Sequence, residues 1–360
     1  MTGLGAAVVE RASRGRYPVD EFLWWHRVRH NRLSAPGYGR LAARSQKRLP
    51  TVLSYLQAVV IGLTQGVTEL FPVSSLGHSV LLPALIGGSW KPLVTESSRA
   101  DSGSSFYLAF IVALHVATAT ALLLFFRQEW IRIISGFFRS LRPTLAARRI
   151  VAEDDDSRLA WLIVIATIPV GLTGVALEHT FRTIFAKPLA AAIFLTLNGV
   201  VLLVGERLRR TSEAAVAAGG VQDGPGEPGR GTRPILSLSY KEGLGVGAFQ
   251  VAALFAGISR SGVAMVGGLV RGLSHEDAAR FSFLLATPVI FAAGALKLPS
   301  LAGPAASHIH GQIVIGVAVA FVSAYLSIRF LVRYFETRTL TPFAIYSLVV
   351  GIACVVRFSI

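Results

Sequence analysis

The sequence predicts an all-α polytopic membrane protein. Six transmembrane helices and two broken, re-entrant helical hairpins are expected, arranged as an inverted-topology repeat. Three observations carry this. The 360 residues are 52% apolar and only 15% charged, with a mean hydropathy of +0.57, a balance that belongs to membrane spans rather than to a large water-soluble core. Six uninterrupted apolar segments have spanning length. Two further apolar stretches are interrupted by Gly/Ser-rich turns, and each turn carries a charged residue.

The first 50 residues are Arg-rich, with Trp24-Trp25-His26 and a Gly/Ala/Arg stretch running to Pro50. No apolar core follows a short basic start, so they do not read as an ordinary signal peptide. They read as a disordered extension, as translation begun upstream of a true start near Val52, or as a tail lying on the membrane surface. The first repeat, 51–205, opens with the broken stretch 52–87 and continues with apolar segments at 106–126, 159–178 and 188–205. The second, 241–360, opens with 243–272 and continues with 278–297, 313–332 and 342–358. Each of the six has roughly the 17–25 residues a crossing helix needs. Broken helices at membrane depth persist only where protein buries them or they line a cavity.

Between the repeats, 206–240 contains Gly219-Gly220, the run Asp223-Gly-Pro-Gly-Glu-Pro-Gly-Arg-Gly231 and five basic residues. It reads as a flexible cytoplasmic linker. The segment 127–158, with seven Arg beside Glu153 and Asp154-Asp-Asp156, also reads as cytoplasmic. The Lys- and Arg-poor segments 88–105 and 298–312 read as outside. The net charge of +15 is therefore topology-setting charge between spans, and a nucleic-acid partner is not expected. The lone Cys354 excludes a disulfide within the chain and a cysteine-rich metal site.

Parity separates two topologies. Re-entrant hairpins leave three crossings per half, which inverts the second half and brings the hairpins together from opposite sides. Spanning stretches would make four crossings and parallel repeats. The inverted arrangement places the basic tail outside, against the positive-inside bias. A faint internal match, Leu70-Phe71-Pro72-x-x-Ser75 with Leu254-Phe255-Ala256-x-x-Ser259, supports a repeat.

The charged residues are Glu69, in Gln65-Gly-Val-Thr-Glu69-Leu-Phe-Pro-Val-Ser-Ser75-Leu-Gly-His78, and Arg260, in Ala256-Gly-Ile-Ser-Arg260-Ser-Gly262. A charge at the bilayer centre costs roughly 2.5–3.5 kcal/mol even on insertion scales, so such residues are expected to face a partner, a cavity or a substrate. Gln65 and Glu69 are four apart and share a helix face. Pro72 then interrupts the helix. Ser75, His78 and Glu69 supply the hydroxyl, imidazole and carboxylate of an activated nucleophile. Ser74 taken alone reads as a small packing residue. Gly257 and Gly262 let backbone N–H groups approach a ligand, Ser259 and Ser261 add hydroxyls, and Arg260 offers a cationic fork to phosphate oxygens. A helix starting after Gly262 would aim its positive end at the same place. His115 reads as a packing residue within a span, and His275, with Ser274 and Asp277, as a capped helix start. Arg271 and Arg280 read as topology-setting or headgroup contacts. His179, His308 and His310 carry no assignment.

These two motifs resemble those of the BacA-type undecaprenyl-diphosphate phosphatases: a Glu/Gln-x-x-x-Glu box running into Pro-x-Ser-Ser-x-Gly-His, and a later Pro-Gly-x-Ser-Arg-Ser-Gly. Here Gln65 fills the variable position and Ala256 stands where the family usually has Pro. The run from Gly267 to Pro288 also resembles the family, and the likeness covers about 52–358. It implies removal of the terminal phosphate from a C55 polyprenyl diphosphate at the bacterial cell membrane, with the active site facing outside, and resistance to bacitracin. It implies Mg²⁺ or Ca²⁺ dependence, with Gln65 and Glu69 as candidate ligands or Glu69 as a base. In that reading Ser75 attacks, His78 is its base, and Arg260 and backbone donors hold the developing charge; a phosphohistidine at His78 is the alternative. Ser74, Gly257, Ser259, Ser261 and Gly262 are the expected substrate-binding residues. The partners implied are the lipid substrate and membrane lipids, with a homodimer as a further option. A transporter or flippase using the same pocket to bind the headgroup is the rival reading, since architecture alone does not separate the two. Type-2 phosphatidate phosphatases fit less well: no His follows Ser259-Arg260 until His275.

Overall fold

A computed structural model describes residues 53–93, 106–185, 187–217, 233–297 and 308–360. The predicted tail, most of the two predicted outside segments and the glycine-rich run of the linker lie outside the described residues.

Every regular element among the described residues is helical, apart from an isolated parallel bridge between Arg233 and Leu273. Helix α1, Tyr55–Thr68, begins at a capping box: Gln57 N donates to Ser54 Oγ and Ser54 N donates to Gln57 Oε1. It stops short of Pro72, and α2, Ser75–Ile86, follows the turn. Next come α3, Phe106–Phe125, α4, Arg127–Ala147, α5, Asp155–Phe185, and α6, Pro188–Ala217. Helix α7, Tyr240–Phe249, starts at a second capping box, between Ser239 and Glu242, and tightens into a 3-10 segment, Gln250–Leu254. After a turn come α8, Arg260–Leu269, α9, His275–Lys297, α10, His310–Phe335, and α11, Thr341–Ser359.

Six of these helices are long and apolar enough to cross a membrane: α3, α5 as far as Leu177, α6 as far as Thr211, α9, α10 and α11. They coincide with the six predicted spans. Three details differ from the prediction. The segment 127–158 contains a helix, α4. Helix α6 runs on through Ala217 into the predicted linker, because Glu206-Arg-Leu-Arg-Arg-Thr-Ser-Glu-Ala-Ala contains no Gly or Pro and favours helix. Helix α8 starts at Arg260 rather than after Gly262, because the Ser259 side chain already caps it there.

Both broken stretches fold back on themselves. At the open end of the first, Gln57 Nε2 donates to Ser89 O across 3.1 Å, joining the start of α1 to the segment after α2. At the open end of the second, Arg233 N donates to Gly272 O across 3.2 Å, joining the segment before α7 to the turn after α8; beside it, Arg158 at the start of α5 donates to Leu236 O and Leu238 O at 2.7 and 2.8 Å. Just after it, Arg280 on α9 pairs with Glu129 on α4.

The packing is reciprocal between the halves. Helix α1 lies against α10, and α7 lies against α5; α6 pairs with α11, and α3 with α9. These contacts are close because small residues line them, as expected where lipid supplies no hydrophobic drive between helices. Gly66 meets Ala320 and Ser323, and Gly247 meets the Ala166 backbone. The largest apolar cluster joins Leu70 and Val73 of the first turn to Met265 and Leu269 of α8 and to Phe281, Phe283 and Leu284 of α9. That cluster holds the two turns in one place.

A methyl group at Gly66 would overlap Ser323 Oγ and the backbone of Ala320 and Ala324. Gly66→Ala is therefore expected to destabilise the protein by about 1–3 kcal/mol, read as a lower midpoint of thermal unfolding in detergent. An unchanged midpoint would mean that α1 and α10 are not in this contact.

Candidate active site

Each hairpin turn ends in a serine that starts a helix. Ser74 caps α2 and Ser259 caps α8, and each hydroxyl accepts from the amide three residues on, Gly77 N and Gly262 N, at 3.2 Å. The common unit is Ser-x-x-Gly. This corrects the internal alignment by one residue: Ser74, not Ser75, is the counterpart of Ser259, and the first helical residues are Ser75 and Arg260. Ser74 holds a φ of 71°, a left-handed conformation that costs a side-chain-bearing residue of order 1–3 kcal/mol. Its hydroxyl offsets this by also accepting from Gly257 N at 3.2 Å, across the two turns. Gly257 has a φ of 116°, and a Cβ there would come within 2.7 Å of Leu195 N, so both conformation and space require glycine. Ser259 and Ser261 hydroxyls bond to each other at 3.0 Å. The hydroxyls of Ser74, Ser259 and Ser261 thus hold the turns. By helix geometry, the first amides of α2 and α8 have no backbone acceptor within their own helices, and the capping serines take one in each.

Glu69 sits where these parts converge and is buried. Its Oε1 pairs with Arg260 Nη2. Its Oε2 accepts from the Ser75 hydroxyl, from Gln65 Nε2 at 3.0 Å, and faces His115 Nε2 at 3.3 Å. Arg260 also donates through Nη1 to Ala286 O at 3.0 Å, which fixes its fork from α9. His115 was expected to pack within its span. Its Nδ1 donates to Ile111 O at 2.8 Å, which leaves Nε2 toward a group that only accepts, so the contact is a hydrogen bond when the ring is protonated.

His78 departs from the expected role. Its Nδ1 donates to Ser74 O at 2.7 Å and its Nε2 accepts from the Tyr346 hydroxyl at 2.8 Å; the two rings stack at 5.8 Å. The Ser75 hydroxyl donates to Glu69, so the geometry pairs Ser75 with the carboxylate and not with His78.

Sequence reading passed over two further residues. Asn198, fully buried in α6, donates through Nδ2 to Pro72 O at 2.9 Å and to Ser347 Oγ at 3.2 Å; its Oδ1 accepts from Ser259 N at 2.9 Å. One amide thus braces both turns. Its signal was an Asn inside an otherwise apolar span. Tyr346, in α11, had no comparable signal, because tyrosine is common in spans.

A narrow cleft runs between α1 and α2, lined by Ile61, Thr64, Gln65, Ser75, His78, Ser79 and Leu82. Polar Thr64, Gln65, Ser75, His78 and Ser79 share this lining with apolar Ile61 and Leu82. Gln65 Oε1 faces this region buried and without a hydrogen-bond partner. No group of three or more His, Cys, Asp or Glu able to hold a metal lies among the described residues. Gln65 Oε1 and Glu69 fit a hard cation only as a pair of oxygen ligands completed by substrate phosphate.

The remaining candidates lie elsewhere. Ser274 caps α9, accepting from Asp277 N at 3.0 Å, and His275 bonds to the buried Glu206 at 2.8 Å. Arg271 donates to Gly267 O at 2.8 Å and lies over the Phe249 ring. Arg280 engages Glu129 through two nitrogens. His308 and His310 are exposed, and the side chain of His179 lies outside the described residues.

Asn198→Ala removes the acceptor of Ser259 N and the donor to Pro72 O. A loss of about 1–3 kcal/mol per stranded group is expected, with faster hydrogen exchange in peptides covering 72–75 and 257–262. Unchanged exchange would show that the turns hold without this brace.

The chain is similar to known proteins over most of its length. The family described as bacitracin resistance protein BacA matches residues 58–353. The chain is 58% identical over 345 residues to undecaprenyl-diphosphatase 2 of Frankia alni, covering 86% of this chain and 99% of that relative. It is 56% identical over 306 residues to the undecaprenyl-diphosphatase of Mycolicibacterium paratuberculosis, covering 84% and 97%. It is 41% identical over 300 residues to undecaprenyl-diphosphatase 2 of Burkholderia thailandensis, covering 82% and 94%. With these matches running through both turns and all six spans, the chain belongs to the BacA family.

Proposed function

We infer that this protein is an integral-membrane phosphatase that hydrolyses undecaprenyl diphosphate to undecaprenyl phosphate and inorganic phosphate, recycling the cell-wall lipid carrier and conferring bacitracin resistance. The observation that carries the reading is the Ser75 hydroxyl donating to a buried carboxylate that is paired with Arg260. Binding alone needs the arginine but not an activated hydroxyl.

In the mechanism we propose, the diphosphate enters the pocket between α1 and α2 with its chain along the apolar walls. Its terminal phosphate reaches the amide ends of α2 and α8. Phosphate oxygens compete for Arg260, and as the guanidinium turns to them the Glu69 carboxylate is freed to accept the Ser75 proton. Ser75 Oγ attacks the terminal phosphorus in line. The bond to the bridging oxygen breaks, Glu69 passes the Ser75 proton to that oxygen and undecaprenyl phosphate departs. Water, deprotonated by the restored Glu69 carboxylate, then attacks the phosphoserine; the Ser75 oxygen leaves, takes that proton back from Glu69, and inorganic phosphate is released. His115 and Gln65 hold Glu69 in place throughout. His78, held by Tyr346, shapes the pocket wall beside Ser75. A Mg²⁺ or Ca²⁺ ion held by Gln65 Oε1 and Glu69 would neutralise charge on the diphosphate.

Phosphate release from undecaprenyl diphosphate by purified protein in detergent tests this. Ser75→Ala is expected to lower kcat by about 10³-fold or more, and Arg260→Ala by about 10²–10³-fold. Trapped phosphoenzyme is expected on Ser75; phosphate on His78 with Ser75 free would overturn the assignment. Chelation is expected to abolish turnover, and added Mg²⁺ to restore it. No release from folded wild type across lipids and metals would reject the phosphatase reading.

We also propose that both hairpins are re-entrant and that the halves form an inverted repeat in the bacterial plasma membrane, with the site open to the outside. The folded-back ends of both hairpins and the reciprocal packing of α1 on α10 and α7 on α5 support this. A cysteine placed at His308 in a Cys354→Ala background is expected to react with a membrane-impermeant maleimide from outside. Reaction only from inside would favour parallel repeats.

A further inference from the structure

Helix α4 has three distinct faces at about 100° per residue. The inner face is buried: Glu129, Trp130, Ile133, Gly136, Ser140 and Thr144. It is anchored by the Glu129–Arg280 pair, by Gly136 against the backbone of Asp156 and Ser157, and by Trp161 Nε1 donating to Ser140 Oγ at 3.0 Å. The second face is apolar and bare: Ile131, Ile134, Phe138 and Leu145 are 67%, 48%, 65% and 68% exposed. The third face carries Arg132 and Arg139, and Arg142 sits where it meets the apolar face; all three are exposed.

This helix is no span, and its ends say where it lies. Phe126 alone separates it from the end of span α3. Its inner face rests on the first turns of span α5. It therefore runs at the boundary where one span leaves the bilayer and the next begins. An apolar face beside a basic face, at that level, fits a leaflet surface and not water. Of its arginines, Arg132 and Arg139 make exposed pairs with Asp156 and Asp154, at 3.8 and 3.0 Å. Arg127 and Arg142, and Arg148 and Arg149 just beyond the helix, are exposed and form no ion pair with a described residue. That unpaired positive charge sets the chemistry of the occupant.

We propose that α4 is a docking surface for anionic phospholipid: Ile131, Ile134, Phe138 and Leu145 sink into the headgroup–acyl boundary, and Arg142, Arg148 and Arg149 hold phospholipid headgroups. The site is separate from the Ser75 pocket and does not depend on the phosphatase reading.

Two measurements on the full chain test it. A nitroxide attached at Phe138→Cys, in the Cys354→Ala background, is placed in phosphatidylcholine–phosphatidylglycerol vesicles. It is expected to be relaxed more by oxygen than by an aqueous nickel chelate; the reverse would show α4 in water and overturn the proposal. Native mass spectrometry then counts phosphatidylglycerol retained by wild type and by the Arg142→Gln/Arg148→Gln/Arg149→Gln variant. Retention is expected to weaken roughly fivefold per arginine removed, with phosphatidylcholine retention and thermal stability unchanged. Equal phosphatidylglycerol retention by the two proteins would overturn the headgroup assignment even with Phe138 in the bilayer.

Discussion

The buried pair between Glu69 and Arg260 sets the terms for everything around it. Its partners are 191 residues apart and come from different hairpins. Either charge alone in this setting would cost several kcal/mol, and breaking a buried pair typically costs about 3–5 kcal/mol because the remaining charge is stranded. The two turns must therefore meet, and meet in one register. The surrounding polar bonds enforce that register: Ser74 Oγ receives Gly257 N, and Asn198 holds Pro72 on one side and Ser259 on the other. Close glycine packing of α1 on α10 and of α7 on α5 fixes each hairpin against a span of the other half.

The same pair gives the site its resting state. A carboxylate that accepts from a serine hydroxyl, an amide and a guanidinium is fully engaged, and so is the arginine that also donates to Ala286 O. In the mechanism proposed above, an incoming phosphate competes for the guanidinium and frees the carboxylate. A serine and a carboxylate already joined by one hydrogen bond need little reorganisation in a water-poor setting.

The polar network around Glu69 is gathered at the turns, and the periphery is governed by lipid. The exposed apolar side chains on α5, α10 and α11, such as Leu172, Val314 and Val349, have hydrocarbon as their solvent. Helix α4 differs because it combines exposed apolar and basic faces, and a mixed surface of that kind matches the leaflet boundary. The ion pairs at its root, Glu129 with Arg280 and Arg139 with Asp154, tie it to α9 and to the start of α5.

The sequence by itself determined the membrane class, the six spans, the two interrupted stretches and the residues Glu69, Ser75 and Arg260. Spanning length and the cost of intramembrane charge are local properties that a one-dimensional pattern carries. The start of α8 was legible in principle from the Ser-x-x-Gly unit, and α4 from its periodicity, but a basic segment between spans reads first as loop. Only the tertiary structure decided who bonds to whom. The Ser75 hydroxyl donates to Glu69 and not to His78; His115 faces the carboxylate; Asn198 joins the turns; Tyr346 bonds to His78. Each of these contacts crosses between helices far apart in sequence, and a hydrogen bond has direction and range of a few ångströms. No periodicity in the chain encodes that geometry.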